Sequence, residues 1–316
     1  MLTKSQIKTY DIGLVPHYDE LEERFIFPFP QLNYLLNGGI MDRVTMITSS
    51  TDNGKTTLAS QIIMSIISQG YNCCCFFGED TARESQDRIF KQDCKDDPDA
   101  TYYKAYKDTN CGEFLLTDKA YQKCVNKFGG HLFLYNTMAQ ADVDTILDAF
   151  EEQRVRNNCR VFLLDNVEQF EFSSDNENKA IKDIVVKIRD YAINQKVHIF
   201  LIAHIRKTER GVIMPDLNDV KGTSAMVNIA KNVLVLVRTD KMDKNSPEYK
   251  TLSRVMEENG YDIEKAQAII RVAKTKGRKL GYVGLTFDST TQTYTELKRR
   301  RERPKLEEIK DDDPLF

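Results

Sequence analysis

The chain has 316 residues, of which 29% are charged, and its net charge is −3. This length is sufficient for the core of one large domain. The near-neutral charge excludes a protein that coats nucleic acid over its whole surface, so any nucleic-acid contact must come from a local basic patch.

Short apolar runs alternate with segments of helical periodicity along most of the chain. The predicted strands are 44–48, 72–77, 131–135, 160–165, 197–203, 232–237 and 268–272, followed by an edge hairpin at 283–287 and 293–297. The predicted helices are 31–36, 56–68, 81–92, 141–157 and 176–195, and residues 93–130 are expected to form helices outside the sheet. This alternation predicts an α/β fold with a mostly parallel, twisted sheet covered by helices on both faces.

The chain divides into three predicted parts. A mixed polar segment covers residues 1–24, the α/β domain covers 25–297, and residues 298–316 form a basic and then acidic tail that cannot pack a core. The run Cys73-Cys74-Cys75 lacks C-x-x-C spacing and lies in an apolar stretch, which favours a buried strand with free thiols over a metal or disulfide site.

The N-terminal residues lack the apolar segment of a secretory signal peptide, and the longest apolar runs are far shorter than a membrane span. The odd total of seven cysteines suits a reducing compartment. We therefore expect a cytoplasmic protein with no membrane contact.

Residues 49–56 lie between a predicted strand and a predicted helix, where a G-x-x-x-x-G-K-[ST] loop cradles phosphates with backbone N–H groups. The motif's lysine reaches the β- and γ-phosphates, and its hydroxyl holds Mg²⁺. Serine stands at the first glycine position, although serine tolerates positive φ poorly. The candidate ATP-binding residues are Ser49, Ser50, Thr51, Asp52, Asn53, Gly54, Lys55, Thr56 and Thr57.

Three strand ends carry polar side chains that suit ATP hydrolysis, because catalytic groups gather at the carboxyl ends of parallel strands. Asp165 ends the fourth strand, and a carboxylate there either orders Mg²⁺ or only caps the next turn. Glu79 and Asp80 follow the second strand, and each qualifies as the base that activates water. His204 follows the fifth strand, as a γ-phosphate sensor or as a structural histidine.

These parts, in this order, resemble the RecA-like ATPase domain of the DnaB family, the hexameric replicative helicases of superfamily 4 that include phage and primase-helicase types. The resemblance runs from about residue 27 to 297 and includes the segment 29–39 ahead of the phosphate loop. It implies that Glu79, in Gly-Glu-Asp-Thr, is the catalytic base. It also implies that Thr56 and Asp165 hold Mg²⁺ and that His204 senses the γ-phosphate.

The same resemblance implies a DNA-binding loop and an active site shared between subunits. The loop that lines the central channel in the family carries here Arg206, Lys207, Arg210 and Lys221; otherwise these are only solvated basic residues. The family's K-x-R segment resembles residues 274–278, but Lys276 stands at the arginine position and Arg278 two residues later. Either cation is a candidate for the finger that reaches the neighbouring subunit's ATP.

By position, Arg238 and Phe287 would fill the family's base-stacking pair, the alternative for Phe287 being core packing. The acidic, Phe-ended tail resembles tails that dock on replication partners, with primase, DNA polymerase and single-strand-binding protein as candidates; the alternative is a solubilising tail.

The predicted function is an ATP-dependent, homo-hexameric replicative DNA helicase that translocates on single-stranded DNA. The chain is expected to be a minimal motor with a separate primase or a divergent ATPase of this lineage, with residues 1–24 as the segment that docks on the next subunit. The alternatives are a RecA/RadA-like recombinase and an ATP-switched loader or adaptor of the replication machinery.

Overall fold

The structure is a computed structural model that describes residues 23–50, 53–107, 112–135, 142–166, 177–205, 224–276 and 278–300. The predicted N-terminal docking segment, apart from its last two residues, and residues 301–316 of the predicted tail lie outside these ranges.

Strands and helices alternate through the described ranges. The strands are β1 (Arg24–Phe25), β2 (Gly39–Ile40), β3 (Val44–Ser49), β4 (Asn72–Phe77), β5 (Thr101–Ala105), β6 (Gly112–Leu116), β7 (Leu132–Leu134), β8 (Cys159–Asp165), β9 (His198–His204), β10 (Asn232–Arg238), β11 (Ala268–Thr275), β12 (Gly281–Asp288) and β13 (Thr293–Glu296). The helices are α1 (Pro30–Leu36), α2 (Lys55–Ile67), α3 (Ala82–Asp93), α4 (Asp118–Phe128), α5 (Val143–Asn157), α6 (Glu177–Gln195), α7 (Ser224–Ile229) and α8 (Pro247–Glu258), with 3₁₀ turns at Thr239–Lys241 and Ile263–Lys265.

A central sheet runs in the order β13-β12-β11-β10-β3-β9-β8-β4-β7 through the described part of the chain. Every pair from β10 to β7 is parallel. The three remaining pairs, from β10 outward to β13, are antiparallel. The predicted mostly parallel sheet with an edge hairpin is therefore confirmed.

Helices cover both faces of this sheet, as predicted. Helices α1 to α4 pack against one face, and α5 to α8 pack against the other. Alternation along β4 sends Cys73 and Cys75 into the first core and Cys74 into the second. All three are buried free thiols, and burial raises their pKa values, so the predicted buried strand is confirmed.

The expectation that residues 93–130 form helices is confirmed for α4 and wrong for the residues before it. Strands β5 and β6 pair as an antiparallel ribbon before α4. Most of the ribbon's residues are exposed, so its sequence lacks the alternation that marks a half-buried strand. The ring of Tyr103 lies over Gly112, where an added Cβ would be 2.5 Å from the Tyr103 Cζ, and contacts Phe114 edge-on.

Helix α8 is a further element that the sequence analysis did not predict. Ser246 caps it by accepting a hydrogen bond from the Tyr249 N–H, and Pro247 occupies its first position. A serine followed by proline is a recognised helix start, so this signal was present in the sequence.

The boundary predicted after Leu297 stays a prediction. The first residues beyond it contact the loop that follows α8. Arg299 Nε donates to the Asn259 carbonyl at 2.9 Å, and the Arg300 guanidinium pairs with Asp262 at 2.8 Å. In the described ranges, no helix combines the length and the apolar character needed to cross a membrane.

His198 is a fully buried titratable group at the start of β9. Its ring contacts Phe25 and Phe200, with centroids 4.9 and 4.6 Å away, and its Nδ1 lies 2.7 Å from the Ile40 carbonyl oxygen. Nε2 is buried without a hydrogen-bond partner in the described part of the chain. Burial lowers the pKa of His198 to about 4, against the opposing effect of the Ile40 hydrogen bond.

This burial predicts a loss of stability as the pH falls. Between pH 6.5 and about 4 the unfolded chain binds a proton at His198 that the folded chain does not, so the free energy of unfolding decreases. The full effect is about 3 kcal/mol, at about 1.4 kcal/mol per pKa unit. Asp165 acts in the opposite sense, because its folded pKa is raised to about 6 and the folded state therefore gains stability as it takes up that proton.

The His198→Phe variant separates the two effects, because it keeps the Asp165 contribution. We expect the free energy of unfolding of wild type to fall relative to that of the variant as the pH decreases through this range. Urea denaturation at each pH measures both values. A difference that does not change with pH would contradict the buried neutral imidazole.

Candidate active site

The phosphate-loop candidates lie where β3 meets α2. Ser49 is the last, fully buried residue of β3, in extended backbone, so glycine is not needed there. Lys55 is 6% exposed, and its Nζ donates to the Ser49 hydroxyl at 3.3 Å and to the Ser50 carbonyl at 3.2 Å. The serine that departs from the glycine pattern therefore holds the lysine.

Gly54 is the residue whose backbone requires glycine. Its φ is +81°, and it forms the N-cap of α2. A Cβ at this position would lie 2.3 Å from the hydroxyl oxygen of Tyr294, a fully buried residue of β13. Gln61 holds the Tyr294 backbone through two hydrogen bonds, of 2.6 and 2.9 Å. The loop is therefore packed against β13, the outer strand on the antiparallel side of the sheet.

Thr56 and Asp165 come together at the same edge. The Thr56 hydroxyl donates to Asp165 Oδ2 at 2.5 Å, and Asp165 is 5% exposed. Burial raises the pKa of the Asp165 carboxyl to about 6, the Thr56 hydrogen bond lowers it, and the charge of Glu79 raises it.

This pair supplies oxygen donors of the kind that Mg²⁺ prefers, a hydroxyl and a carboxylate. Mg²⁺ is commonly held by one or two such groups together with substrate phosphates, rather than by a cage of protein ligands. The donor set of Thr56 and Asp165 therefore fits Mg²⁺ bound with a nucleoside triphosphate, and the cation would also offset the cost of burying the Asp165 charge.

Glu79 and His204 meet through Asn166, directly beyond the strand ends. The Asn166 amide nitrogen lies 2.9 Å from Glu79 Oε1 and 2.9 Å from His204 Nε2. Glu79 Oε1 is 3.4 Å from His204 Nε2, and the Glu79 side chain is 58% exposed. Glu79 thus combines a fixed position with access to water, which a base that activates water requires.

Asp80 has a different environment. Its carboxylate pairs with Arg88 NH1 at 2.5 Å, while Arg88 Nε donates to Ser60 at 3.2 Å. The guanidinium also lies 5.1 Å from the centre of the Phe77 ring. Asp80 therefore anchors α3 to the strand end, which favours Glu79 over Asp80 as the base.

The predicted base-stacking pair is also assembled. The guanidinium carbon of Arg238 lies 4.5 Å from the centre of the Phe287 ring, and Arg238 pairs with Asp240 at 2.5 Å. Phe287 in turn contacts Tyr294, with ring centres 5.0 Å apart. The aromatic side chain that packs on Gly54 thus connects the phosphate loop to this pair.

Lys276 and Arg278 do not join this group. They are exposed and follow β11, whose last residue, Thr275, pairs with Asn232 at the start of β10. Asn232 pairs in turn with Thr45 at the start of β3, whereas the phosphate loop follows the end of β3. The two candidate cations thus lie where the parallel strands begin. This end of the sheet is roughly 17 Å from the phosphate loop along the strand direction.

Some predicted site residues lie outside the described ranges. They are Thr51 and Asp52 of the phosphate loop and Arg206, Lys207, Arg210 and Lys221 of the predicted DNA-binding loop.

Comparison with known proteins identifies the family. The profile of the AAA domain family matches residues 15–210, which is more than half of the chain. The chain belongs to the AAA domain family. The DNA helicase/primase of Enterobacteria phage T3 is 25% identical to this AAA domain protein over 124 residues, which are 37% of this chain and 22% of the phage protein. The chain thus matches less than a quarter of its relative's length.

Two solved structures share the fold of this chain. A DnaB-like replicative helicase, determined for its interactions with primase, superimposes with a TM-score of 0.68 at 15% identity, over 89% of this chain and 63% of that one. A KaiC-like protein from Pyrococcus horikoshii OT3 superimposes with a TM-score of 0.57 at 14% identity, over 88% and 100% of the two chains. The RecA-like fold predicted from the resemblance to the DnaB family is confirmed, and this nucleotide-binding fold implies that the chain uses a nucleotide.

Two residues of the candidate active site were not predicted from the sequence. Asn166 directly follows the predicted metal-binding acid, but only the fold shows that its amide bridges two other strand ends. Tyr294 lies in the predicted edge hairpin, and its contact with Gly54 joins positions 240 residues apart. No pattern within a few residues of Tyr294 points to Gly54 as its partner.

The contact between Gly54 and Tyr294 predicts a coupled pair of substitutions. Gly54→Ala should destabilise the protein both by the positive φ, at about 1–2 kcal/mol, and by the clash with the Tyr294 hydroxyl. Tyr294→Phe removes that hydroxyl, so the double variant should recover the steric part only. Chemical denaturation of both single variants and the double variant measures the coupling, and simple additivity would contradict the contact.

Proposed function

We propose that this chain is the motor of an ATP-dependent replicative DNA helicase, which hydrolyses ATP to ADP and phosphate. The observation that carries the proposal is the gathering of Lys55, Thr56, Asp165, Glu79 and His204 at one sheet edge. The match to a phage helicase/primase and the likeness in fold to a DnaB-like helicase support the choice of DNA over other substrates.

In this proposal the residues divide the chemistry of hydrolysis. Lys55 neutralises charge on the β- and γ-phosphates. Glu79 accepts a proton from the attacking water as the new P–O bond forms and the bond to the β-phosphate oxygen breaks. His204 contacts the γ-phosphate as sensor, while Arg238 and Phe287 hold the base. Thr56 and Asp165 would hold Mg²⁺, which would supply further charge neutralisation.

The position of Lys276 and Arg278 supports a shared active site. A cation at the end of the sheet where the parallel strands begin reaches an ATP only if that ATP lies on a neighbouring copy, as in a closed ring of identical subunits. We therefore propose a homo-hexamer in which one of these cations acts in trans. The predicted DNA-binding loop, with Arg206, Lys207, Arg210 and Lys221, would contact the phosphates of single-stranded DNA inside the ring.

The remaining parts of the proposal concern partners and compartment. The C-terminal segment 311–316, with three aspartates and a terminal phenylalanine, would dock on primase, DNA polymerase or single-strand-binding protein through its charge and aromatic ring. The protein would act in the cytoplasm of a bacterium or of a phage-infected host.

Lys55→Ala should lower ATP hydrolysis by about 100-fold or more, because oriented charge on the phosphates is a dominant catalytic contribution. Steady-state phosphate release measures the effect. Lys187→Ala is the matched control, since Lys187 is an α6 residue paired with Asp144 outside the site. Hydrolysis that survived Lys55→Ala would contradict the site assignment.

Helicase action is tested by imaging particles with an ATP analogue and single-stranded DNA, together with fork unwinding. Rings, DNA-stimulated hydrolysis and unwinding support the proposal. Helical filaments would favour a RecA/RadA-like recombinase, and a monomer whose hydrolysis ignores DNA would favour an ATP-switched adaptor.

Mixing two inactive variants tests the shared site. Lys55→Ala lacks a functional phosphate loop, and a Lys276→Ala/Arg278→Ala double variant lacks the candidate finger. In mixed rings ~1/4 of the interfaces combine an intact loop with an intact finger, so hydrolysis should partly return. Each variant alone is the control, and a mixture no more active than its components would contradict action in trans.

A further inference from the structure

Asn166 joins the ends of three neighbouring strands. It follows β8 and is 2% exposed. Its amide nitrogen lies 2.9 Å from Glu79 Oε1, beyond β4, and 2.9 Å from His204 Nε2, at the end of β9. With 3.4 Å between Glu79 Oε1 and His204 Nε2, the three side chains form a closed triangle.

Hydrogen-bond chemistry fixes the orientation of this triangle. A carboxylate oxygen only accepts, so the part of Asn166 that faces Glu79 is the NH₂ group rather than the carbonyl oxygen. The same NH₂ group faces His204 at 2.9 Å, so this contact is a hydrogen bond when Nε2 accepts and carries no proton. The imidazole proton then lies on Nδ1.

The charged groups around the triangle have other partners. Arg88, from α3, pairs with Asp80, and Asp165 accepts the hydroxyl hydrogen of Thr56. Lys55, from α2, donates to Ser49 and Ser50. The Asn166 amide, at 2.9 Å, ties the largely exposed Glu79 side chain to the body of the domain.

We propose that Asn166 is a positioning residue that couples Glu79 to His204. It holds the Glu79 carboxylate in place and fixes the Nδ1–H form of His204. This proposal rests on the proposed function for the roles of Glu79 and His204 in hydrolysis. Because one amide nitrogen serves both partners, a displacement of the His204 ring on phosphate binding changes the hydrogen bonding of Glu79.

The tautomer of His204 is a measurable property that a purely structural role of Asn166 would leave unchanged. The chain has four histidines, so the imidazole ¹⁵N signals of His204 are assigned by their absence in His204→Gln. Wild type should show protonated Nδ1 and unprotonated Nε2 at neutral pH. Asn166→Asp is nearly isosteric, and its carboxylate accepts from the ring, so the proton should move to Nε2.

Asn166→Ala should give the same shift, because Glu79 Oε1 is then the acceptor nearest to Nε2. Asn126→Ala removes an exposed asparagine from α4 and is the matched control, with the wild-type tautomer expected. A His204 that carries its proton on Nε2 in wild type, or that keeps Nδ1–H in both Asn166 variants, would overturn the proposal.

Steady-state kinetics test the coupling. Both Asn166 variants should lower kcat by about 10- to 100-fold, as expected for a misplaced catalytic group. KM for ATP should change by less than about 2-fold, because the Asn166 amide contacts Glu79 and His204, whose proposed roles lie in the chemical step rather than in binding the nucleotide. An unchanged kcat, or a loss shared between kcat and KM, would overturn the positioning role.

The two proposals fail separately. If wild type hydrolyses no ATP, the proposed function fails, and the tautomer measurement still decides whether Asn166 fixes His204. If wild type hydrolyses ATP and the Asn166 variants match it in kcat, the coupling fails while the function stands.

Discussion

Parallel pairing of β3 with β9, and of β8 with β4, is the constraint on which the site depends. The register sets Ser49 beside His204 and Phe77 beside Asp165. Neighbouring parallel strands end at one edge, so each loop that leaves this edge starts within reach of the others. Residues more than 100 positions apart in sequence thus meet without any long excursion of the chain, as the Thr56–Asp165 bond shows.

The phosphate loop is held from two sides. On one side, the Thr56 hydroxyl binds Asp165 at the end of β8. On the other, Gly54 packs against Tyr294 of the antiparallel extension, which also contacts Phe287 of the base-stacking pair. The antiparallel strands therefore connect the residues proposed to hold the base with the loop proposed to hold the phosphates.

The sheet also separates two groups that ATP hydrolysis would need together. Loop, base and sensor candidates lie at the carboxyl edge, while Lys276 and Arg278 lie at the edge where β3 begins. A rigid sheet cannot bring its two edges together within one chain. In the proposed oligomer, a second copy placed so that one edge faces the other would remove this separation without distorting either sheet.

The sequence by itself determined the elements that depend on local pattern. Apolar runs defined the buried strands, periodicity defined the helices, and Gly-Lys-Thr between a strand and a helix located the loop, because these signals lie within a few residues of one another. Local pattern was insufficient for the exposed β5–β6 ribbon, which has no buried face to impose alternation.

Only the tertiary structure decided which strand ends are neighbours, and with them the roles of particular side chains. The residue types alone left Glu79 and Asp80 equal, and the family resemblance favoured Glu79; the physical difference between them, Asn166 on one side and Arg88 on the other, appears only in the fold. The sequence also could not explain Ser49, whose hydroxyl partners Lys55 in extended backbone where the motif has glycine. Such choices depend on contacts between distant segments, and strand order, which sets those contacts, is a property of the assembled sheet.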